Sequence, residues 1–217
     1  MKERRKVRQL NDENGGSNGG FDGNANARSV FVTKKTAREV CYIALFVGVM
    51  TICSWFALFV GNVPITFQTF GVCLAAGLLG GKRGVIAVGA YIALGLCGVP
   101  VFAGFTGGIA KLATPTGGYI LGFLLTAPVI GFASDRNKLE KSKKAGWRLG
   151  LFSVLGLVLC YAVGMAWFML FMAKTSDGVS LSTAFLTCVG PYVPFDFLKI
   201  GVAVPIVLKL KRYINYK

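Results

Sequence analysis

The chain has 217 residues, of which 54% are hydrophobic and 15% charged, with a mean hydropathy of +0.61 and a formal net charge of +15. This composition excludes an ordinary soluble domain, because the apolar runs reach membrane-spanning length and exceed what one core needs. It also argues against nucleic-acid binding, which requires basic residues interleaved with aromatics on a soluble fold.

The chemistry available to the chain is narrow. There is no histidine, so the commonest metal ligand and proton shuttle is missing. The six cysteines lie mostly inside apolar runs without CxxC spacing, and we interpret them as small apolar fillers. The segment GLLGGKR (77–83) lacks the first glycine and the closing hydroxyl of a phosphate-binding loop. We therefore expect no metal and no cofactor, and any energy must come from a gradient or another subunit.

The first elements are a tail and a helix. Residues 1–38 are polar, basic and rich in Gly and Asn, which predicts a disordered tail. The apolar run 39–61 is too long for a signal-peptide core and lacks a convincing cleavage site, so it predicts a retained span. Small residues recur along this helix and leave one side smooth, either as a docking face for another helix at Ala44 and Gly48 or for packing within the bundle.

Five further apolar runs follow, and the distribution of the basic residues indicates how many of the runs are spans. With six spans and the amino terminus inside, 21 of the 24 Lys and Arg lie inside, while Lys111 and Lys174 lie outside. The positive-inside rule predicts this asymmetry, whereas five spans would place the basic residues at the end of the last span outside. The predicted fold is an all-α integral membrane bundle of six transmembrane helices over 39–210, with a basic tail at 211–217, both termini cytoplasmic and the positive charge facing anionic lipid. The later spans are 64–80, 84–102, 117–134, 147–173 and 191–210.

Two segments on the predicted outer side combine backbone-permissive glycines with aromatic and polar side chains. In NVPITFQ (62–68), Gln68 either offers its amide to a polar ring or caps a helix. The stretch VFAGFTGG (101–108) followed by PTGGY (115–119) suits a lid or a cradle, or is an ordinary connection that ends in a helix start. The residues of interest there are Phe102, Phe105, Gly117, Gly118 and Tyr119.

Asp196 and Lys199 are the only acid and the only base well inside a predicted span. Each costs roughly 2.5–3.5 kcal/mol at a bilayer centre, so their presence needs a reason. Their three-residue spacing places both on one helical face, where they would meet a polar ligand. The alternative is an acid held by the helix amino terminus and a lysine that reaches the headgroups.

Three motifs together carry a family resemblance: PITFQT (64–69), GVPVFAGFTGG (98–108) and PTGGYILGF (115–123). The sequence from about residue 37 to 210 resembles the BioY family, the biotin-specific substrate-binding membrane subunit of energy-coupling factor (ECF) transporters. The resemblance implies a compact six-helix bundle in the plasma membrane that binds biotin from outside. It further implies that ATP is hydrolysed only in partner subunits.

The resemblance also assigns roles to residues of this chain. Asp196 and Lys199, in PFDFLK, match the family's biotin-pocket acid and lysine, and Gly117, Gly118 and Tyr119 match residues beside that pocket. The loop after the first helix, with Asn62, Pro64 and Thr66, corresponds to the lid. Ala44 and Gly48 match a small-residue motif that docks on a transmembrane coupling subunit, with Gly in place of the usual second Ala. Gln68, Phe102 and Phe105 complete the predicted biotin contacts.

The first hypothesis is accordingly a biotin uptake subunit that works with a coupling subunit and two cytoplasmic ATPases, and is not an enzyme. Lys199 is a candidate partner for the biotin carboxylate, and Asp196 either accepts from the ureido N–H groups or holds the lysine. A second hypothesis keeps the fold and changes the ligand to riboflavin or thiamine. A third is a small intramembrane enzyme that uses Asp196 as a base.

Overall fold

Seven α-helices make up most of the part of the chain described by the computed structural model, residues 23–58, 65–135, 144–175 and 180–211. A 3₁₀ turn lies at Ile109–Lys111. Strands β1 (Ala57–Leu58) and β2 (Ile65–Thr66) pair antiparallel, with Ala57 opposite Thr66. The helices are α1 (Gly23–Trp55), α2 (Gln68–Leu79), α3 (Gly81–Leu96), α4 (Gly117–Asp135), α5 (Ala145–Thr175), α6 (Leu181–Cys188) and α7 (Val193–Lys211).

Each of the six predicted spans overlaps one helix, α1 to α5 or α7, so the predicted all-helical architecture is confirmed. The third helix ends at Leu96, short of the predicted residue 102, because Gly98 has a φ of 100° and Pro100 cannot continue a helix. Helix α6 was not predicted. Its buried residues Ala184 and Cys188 are one helical turn apart, a periodicity that eight residues display only weakly.

The first helix begins at Gly23, inside the segment predicted as a tail. Extending an existing helix costs far less free energy than nucleating a new one, so the helix can propagate from the apolar part of α1 into the polar turns that precede it. The larger of the two compact units of the chain begins at Glu39. The predicted tail residues 1–22 and 212–217, and the predicted lid residues Asn62 and Pro64, lie outside the described residues.

Helix α2 is the centre of the bundle, because it packs against α3, α4, α5 and α7 and is buried along most of its length. Its connection to α3 is a single residue, Gly80, whose φ of 82° suits glycine. On α1, Met50 is buried and lies against Gly71 of α2. The core thus forms around a short helix that has no wide lipid-facing side.

The longer helices carry large exposed apolar side chains, such as Leu45, Phe132 and Leu155. Three of the described segments are long and apolar enough to cross a membrane by themselves: Thr36–Trp55, Gly117–Ser134 and Ala145–Lys174. Helices α2 and α3 have only 12 and 16 residues, while α7 has 19 and includes Asp196, Lys199 and two terminal lysines. These three helices are not among the described segments that are long and apolar enough to cross a membrane by themselves.

Candidate ligand-binding site

Asp196 and Lys199 both face the interior of the bundle, with only 4% and 8% of their surfaces exposed. Lys199 Nζ lies 2.8 Å from Asp196 Oδ1. Asp196 is in the first turn of α7, but its side chain bonds to groups on other helices rather than to the helix amino terminus. The pair therefore has neither of the contacts that a capping acid and a snorkelling lysine would show.

Two hydroxyl groups that sequence analysis did not single out hold the Asp196 carboxylate. Thr69 of α2 donates to Oδ1 at 2.8 Å. Tyr161 of α5 donates to Oδ2. Hydrogen bonds to an ionised acceptor are the strong ones, so with Lys199 these donors compensate much of the cost of burying the charge.

Lys199 also joins α7 to the segment just before α2. Its Nζ donates to the carbonyl oxygen of Thr66 at 2.6 Å and lies 5.5 Å from the centre of the Phe67 ring. Thr66, predicted as a lid residue, is thus tied to the ion pair through its backbone. The end of the predicted lid loop has a fixed position beside the charged pair.

Gln68 lies at the start of α2 and is buried. Its Nε2 donates to the hydroxyl of Tyr91 at 2.7 Å, and Tyr91 in turn donates to the carbonyl of Val101. The amide oxygen accepts from the hydroxyl of Thr66 at 3.1 Å. Gln68 therefore links α2, α3 and the loop after α3, while its side chain still forms part of the cavity wall.

The predicted aromatic residues separate into two groups. Phe102 is 1% exposed and lines the cavity, as does Tyr119, whose hydroxyl donates to the carbonyl of Cys188 at 2.8 Å. Phe105 is 63% exposed and stacks on Trp55 with ring centres 4.8 Å apart. Phe105 therefore covers the end of α1 instead of contributing to the cavity.

Gly117 and Gly118 are sites where another part of the chain comes close to the start of α4. A side chain on Gly117 would overlap the backbone of Leu112, and one on Gly118 would overlap Trp167 of α5. The two glycines lie next to the cavity-lining Thr116 and Tyr119 without lining it themselves. Gly118 lets α4 start close to α5, and Gly117 lets the preceding loop lie close to the start of α4; Tyr119 follows them in the cavity wall.

Lys111 is the third charged side chain in the cavity wall. It ends the 3₁₀ turn in the connection between α3 and α4, and it is only partly exposed. Burial lowers the pKa of its ammonium group, because desolvation disfavours the charged form.

Together these residues line a partly open cavity whose empty space, counted with the solvent at its mouth, is about 650 Å³. Two thirds of the lining residues have a polar group, but the surface that the wall presents to the cavity is mainly apolar, the pattern of a site that recognises a largely apolar molecule with polar ends. The polar wall residues are Thr66, Gln68, Thr69, Lys111, Thr116, Tyr119, Tyr161, Tyr192, Asp196 and Lys199, and the apolar ones are Phe102, Ala103, Ile120, Phe123 and Cys160.

The predicted docking residues lie on the open side of α1. Ala44 and Gly48 are exposed, and a side chain placed on Gly48 would meet nothing within 4 Å. The opposite side of the same helix buries Phe46, Val47 and Met50. Internal packing therefore uses the large residues and leaves the small ones available.

A family model matches residues 25–216, and its description is the BioY family. The chain belongs to the BioY family. A biotin transporter BioY of Thermotoga maritima is 38% identical over 175 residues, which cover 81% of this chain and 96% of that protein. A probable biotin transporter BioY of Pyrococcus horikoshii is 36% identical over 81% of this chain and 97% of its own length.

A solved structure supports the same family placement. The crystal structure of the S-component for biotin from an ECF-type ABC transporter superposes with a TM-score of 0.74 at 31% identity, over 82% of this chain and 93% of that one. The predicted resemblance to BioY and the predicted bundle of the ECF S-component type are confirmed. This BioY protein is a multi-pass protein of the plasma membrane.

Proposed function

We propose that the chain is the biotin-binding membrane subunit of an ECF-type uptake transporter, which captures biotin from outside the cell and delivers it inward. The observation that carries this proposal is the buried Asp196–Lys199 pair in the wall of a cavity inside a membrane bundle. The relatives' names, biotin transporters and an S-component for biotin, support biotin as the ligand.

The hydrogen-bonding capacity left on the ion pair fits the ureido ring of biotin. A carboxylate offers about four acceptor positions, and Asp196 uses three, for Thr69, Tyr161 and Lys199. An ammonium offers three N–H donors, and Lys199 uses two, for Asp196 and Thr66. One acceptor position on Asp196 and one N–H donor on Lys199 remain. A ureido N–H and its neighbouring carbonyl satisfy both at once.

The rest of the cavity suits the apolar parts of the same molecule. Phe102, Ile120 and Phe123 present apolar surface, and Tyr119 adds a ring whose hydroxyl is already bonded to the protein. Apolar burial of this kind supplies roughly 25 cal/mol per Å² of covered surface. The thioether ring and the alkyl chain of biotin are the groups that would gain from it.

Transport requires partners, since the role proposed for this subunit is binding and not catalysis. We place the contact with the ECF module on the exposed small-residue side of α1, at Ala44 and Gly48, where another helix can approach closely. The module we expect is a transmembrane coupling subunit with two cytoplasmic ATPases. Biotin release to the inside then depends on ATP hydrolysis in those partners.

The test is saturable binding of biotin to the purified protein in lipid nanodiscs, measured by titration calorimetry. Lys199→Ala and Asp196→Asn should each abolish measurable binding, since each leaves a buried charge without its partner. Lys209→Ala, which removes a lysine from the exposed end of the same helix, is the matched control. A wild-type protein without saturable binding, or binding indifferent to both site variants, would contradict the proposal.

Two additions separate the other hypotheses in the same assay. Riboflavin and thiamine should fail to displace biotin; displacement by either would indicate a different vitamin specificity. Mass spectrometry of the recovered ligand should return unmodified biotin, whereas a chemically altered product would indicate an enzyme.

A further inference from the structure

The cavity has one more positive charge than its own carboxylate neutralises. Among the described residues, its wall has three charged side chains: Lys111, Asp196 and Lys199. Asp196 and Lys199 pair with each other at 2.8 Å. Lys111 has no carboxylate within ion-pair distance in the described part of the chain.

Lys111 has a fixed place in the wall, because both ends of its segment are tied to the bundle. The amide of Gly108 donates to the carbonyl of Gly95 on α3 at 2.7 Å, and the amide of Lys111 donates back to Gly108 at 3.1 Å. The indole of Trp167 on α5 donates to the carbonyl of Thr114 at 3.2 Å. A short 3₁₀ turn held in this way presents its lysine to the cavity reproducibly.

The surroundings of Lys111 favour an anionic partner. A partly buried ammonium pays for desolvation without a compensating charge, and a carboxylate from a ligand would supply that charge. The position is also exceptional for topology, as Lys111 is one of only two lysines in the connections predicted to face outside. Membrane orientation therefore offers no reason for a cation here.

We propose that Lys111 binds the carboxylate of the ligand and makes the site selective for a free monocarboxylic acid over its uncharged amide. The inference rests on the proposed function, in which the ion pair of α7 binds the ureido ring. It also revises the sequence-based assignment, since Lys199 already bonds to Asp196 and Thr66 and has only one donor left. The two cations thus serve opposite ends of one molecule.

The experiment compares affinities for biotin and biotinamide in nanodiscs. The wild type should prefer the acid by about tenfold, the lower end for a charge-assisted hydrogen bond, because Lys111 keeps contact with water. Lys111→Met should lose this preference, with biotin affinity down about tenfold and biotinamide affinity unchanged within about twofold. Unchanged biotinamide binding also shows that the variant is folded.

Further variants locate the effect. Lys111→Arg should keep most of the acid preference, and Lys174→Met, which removes the other lysine predicted to face outside, should leave both affinities unaltered. The paired variant Asp196→Asn with Lys199→Met should weaken both ligands to the same extent. A ratio of acid to amide affinity that is identical in the wild type and Lys111→Met overturns this inference alone. A wild type that binds neither ligand overturns the proposed function and this inference with it.

Discussion

The hydroxyl of Tyr161 donates a hydrogen bond to Oδ2 of Asp196 and so joins the middle of α5 to the first turn of α7. Thr69 of α2 donates to the other carboxylate oxygen at 2.8 Å. Three helices therefore determine where the acceptor position of Asp196 points. Because the group is held before a ligand arrives, binding at this end of the cavity needs little ordering.

Tyr161→Phe is expected to weaken biotin binding roughly 10- to 100-fold, since it removes one hydrogen bond to a charged group whose orientation matters. Thr69→Val should act in the same direction. Titration calorimetry measures both. Thr126→Val is the matched control, because the Thr126 hydroxyl donates to the carbonyls of Gly122 and Gly156, whereas the Asp196 carboxylate accepts from Thr69 and Tyr161. Equal losses from the two threonine variants would point to general packing and contradict the assignment.

The charged half of this site was predictable and the hydroxyl half was not. Asp196 and Lys199 stand out because an acid and a base in an apolar span carry a large cost, which is visible in one sequence. Hydroxyl residues in a span carry no such signal, because they can bond to the preceding turn of their own helix, as Ser153 does to Leu149. Thr69 is 127 positions from Asp196, and only the folded bundle brings them together.

In the loops, the sequence likewise does not show which aromatic residues point into the cavity. Phe102 and Phe105 are three positions apart in a loop, where no helical or strand period fixes direction. Phe105 has a positive φ of 56°, which directs its ring to Trp55, while Phe102 packs inside. The six longer helices were predictable because hydropathy and the positive-inside asymmetry act over whole segments, whereas loop conformation depends on single residues.

Gly118→Ala should destabilise the protein by roughly 1–3 kcal/mol, the usual cost of forcing extra atoms into a packed contact. The added methyl group would overlap Trp167 and the carbonyl of Val163. Gly150→Ala is the control: nothing lies within 4 Å of the added carbon, and the variant should be neutral or up to about 1 kcal/mol more stable. Thermal unfolding without ligand measures both. A fully stable Gly118→Ala that has lost only biotin binding would mean that Gly118 touches the ligand.

Gly48→Leu is expected to uncouple transport from binding. The leucine has room in the isolated subunit, so biotin affinity should stay at the wild-type value. It would fill the small-residue side of α1, and co-purification with the ECF module and biotin uptake should fall by at least about tenfold. Gly150→Leu on α5 makes the same change at another open glycine and should leave uptake intact. Loss of biotin binding by Gly48→Leu would show that this side of α1 supports the site itself.

The preference for biotin over biotinamide should depend on pH through Lys111. Burial lowers the pKa of the Lys111 ammonium, so the free site loses this charge at a lower pH than an ordinary lysine, whose pKa is about 10.4. A bound carboxylate favours the charged form and raises that pKa again. By linkage, acid affinity is highest while Lys111 is protonated and falls as pH rises through its pKa, whereas amide affinity does not follow this titration.

Measuring both affinities from about pH 7 to pH 10 tests this expectation. The ratio of the biotin affinity to the biotinamide affinity cancels the effects of the other ionisable groups in the wall, because both ligands contact these groups in the same way. The groups are Tyr119, Cys160, Tyr161, Tyr192, Asp196 and Lys199. Lys111→Arg should give a ratio that is flat over the same range, since a guanidinium keeps its proton there. A ratio that falls in the arginine variant as steeply as in the wild type would assign the titration to another group and remove Lys111 from the recognition of the carboxylate.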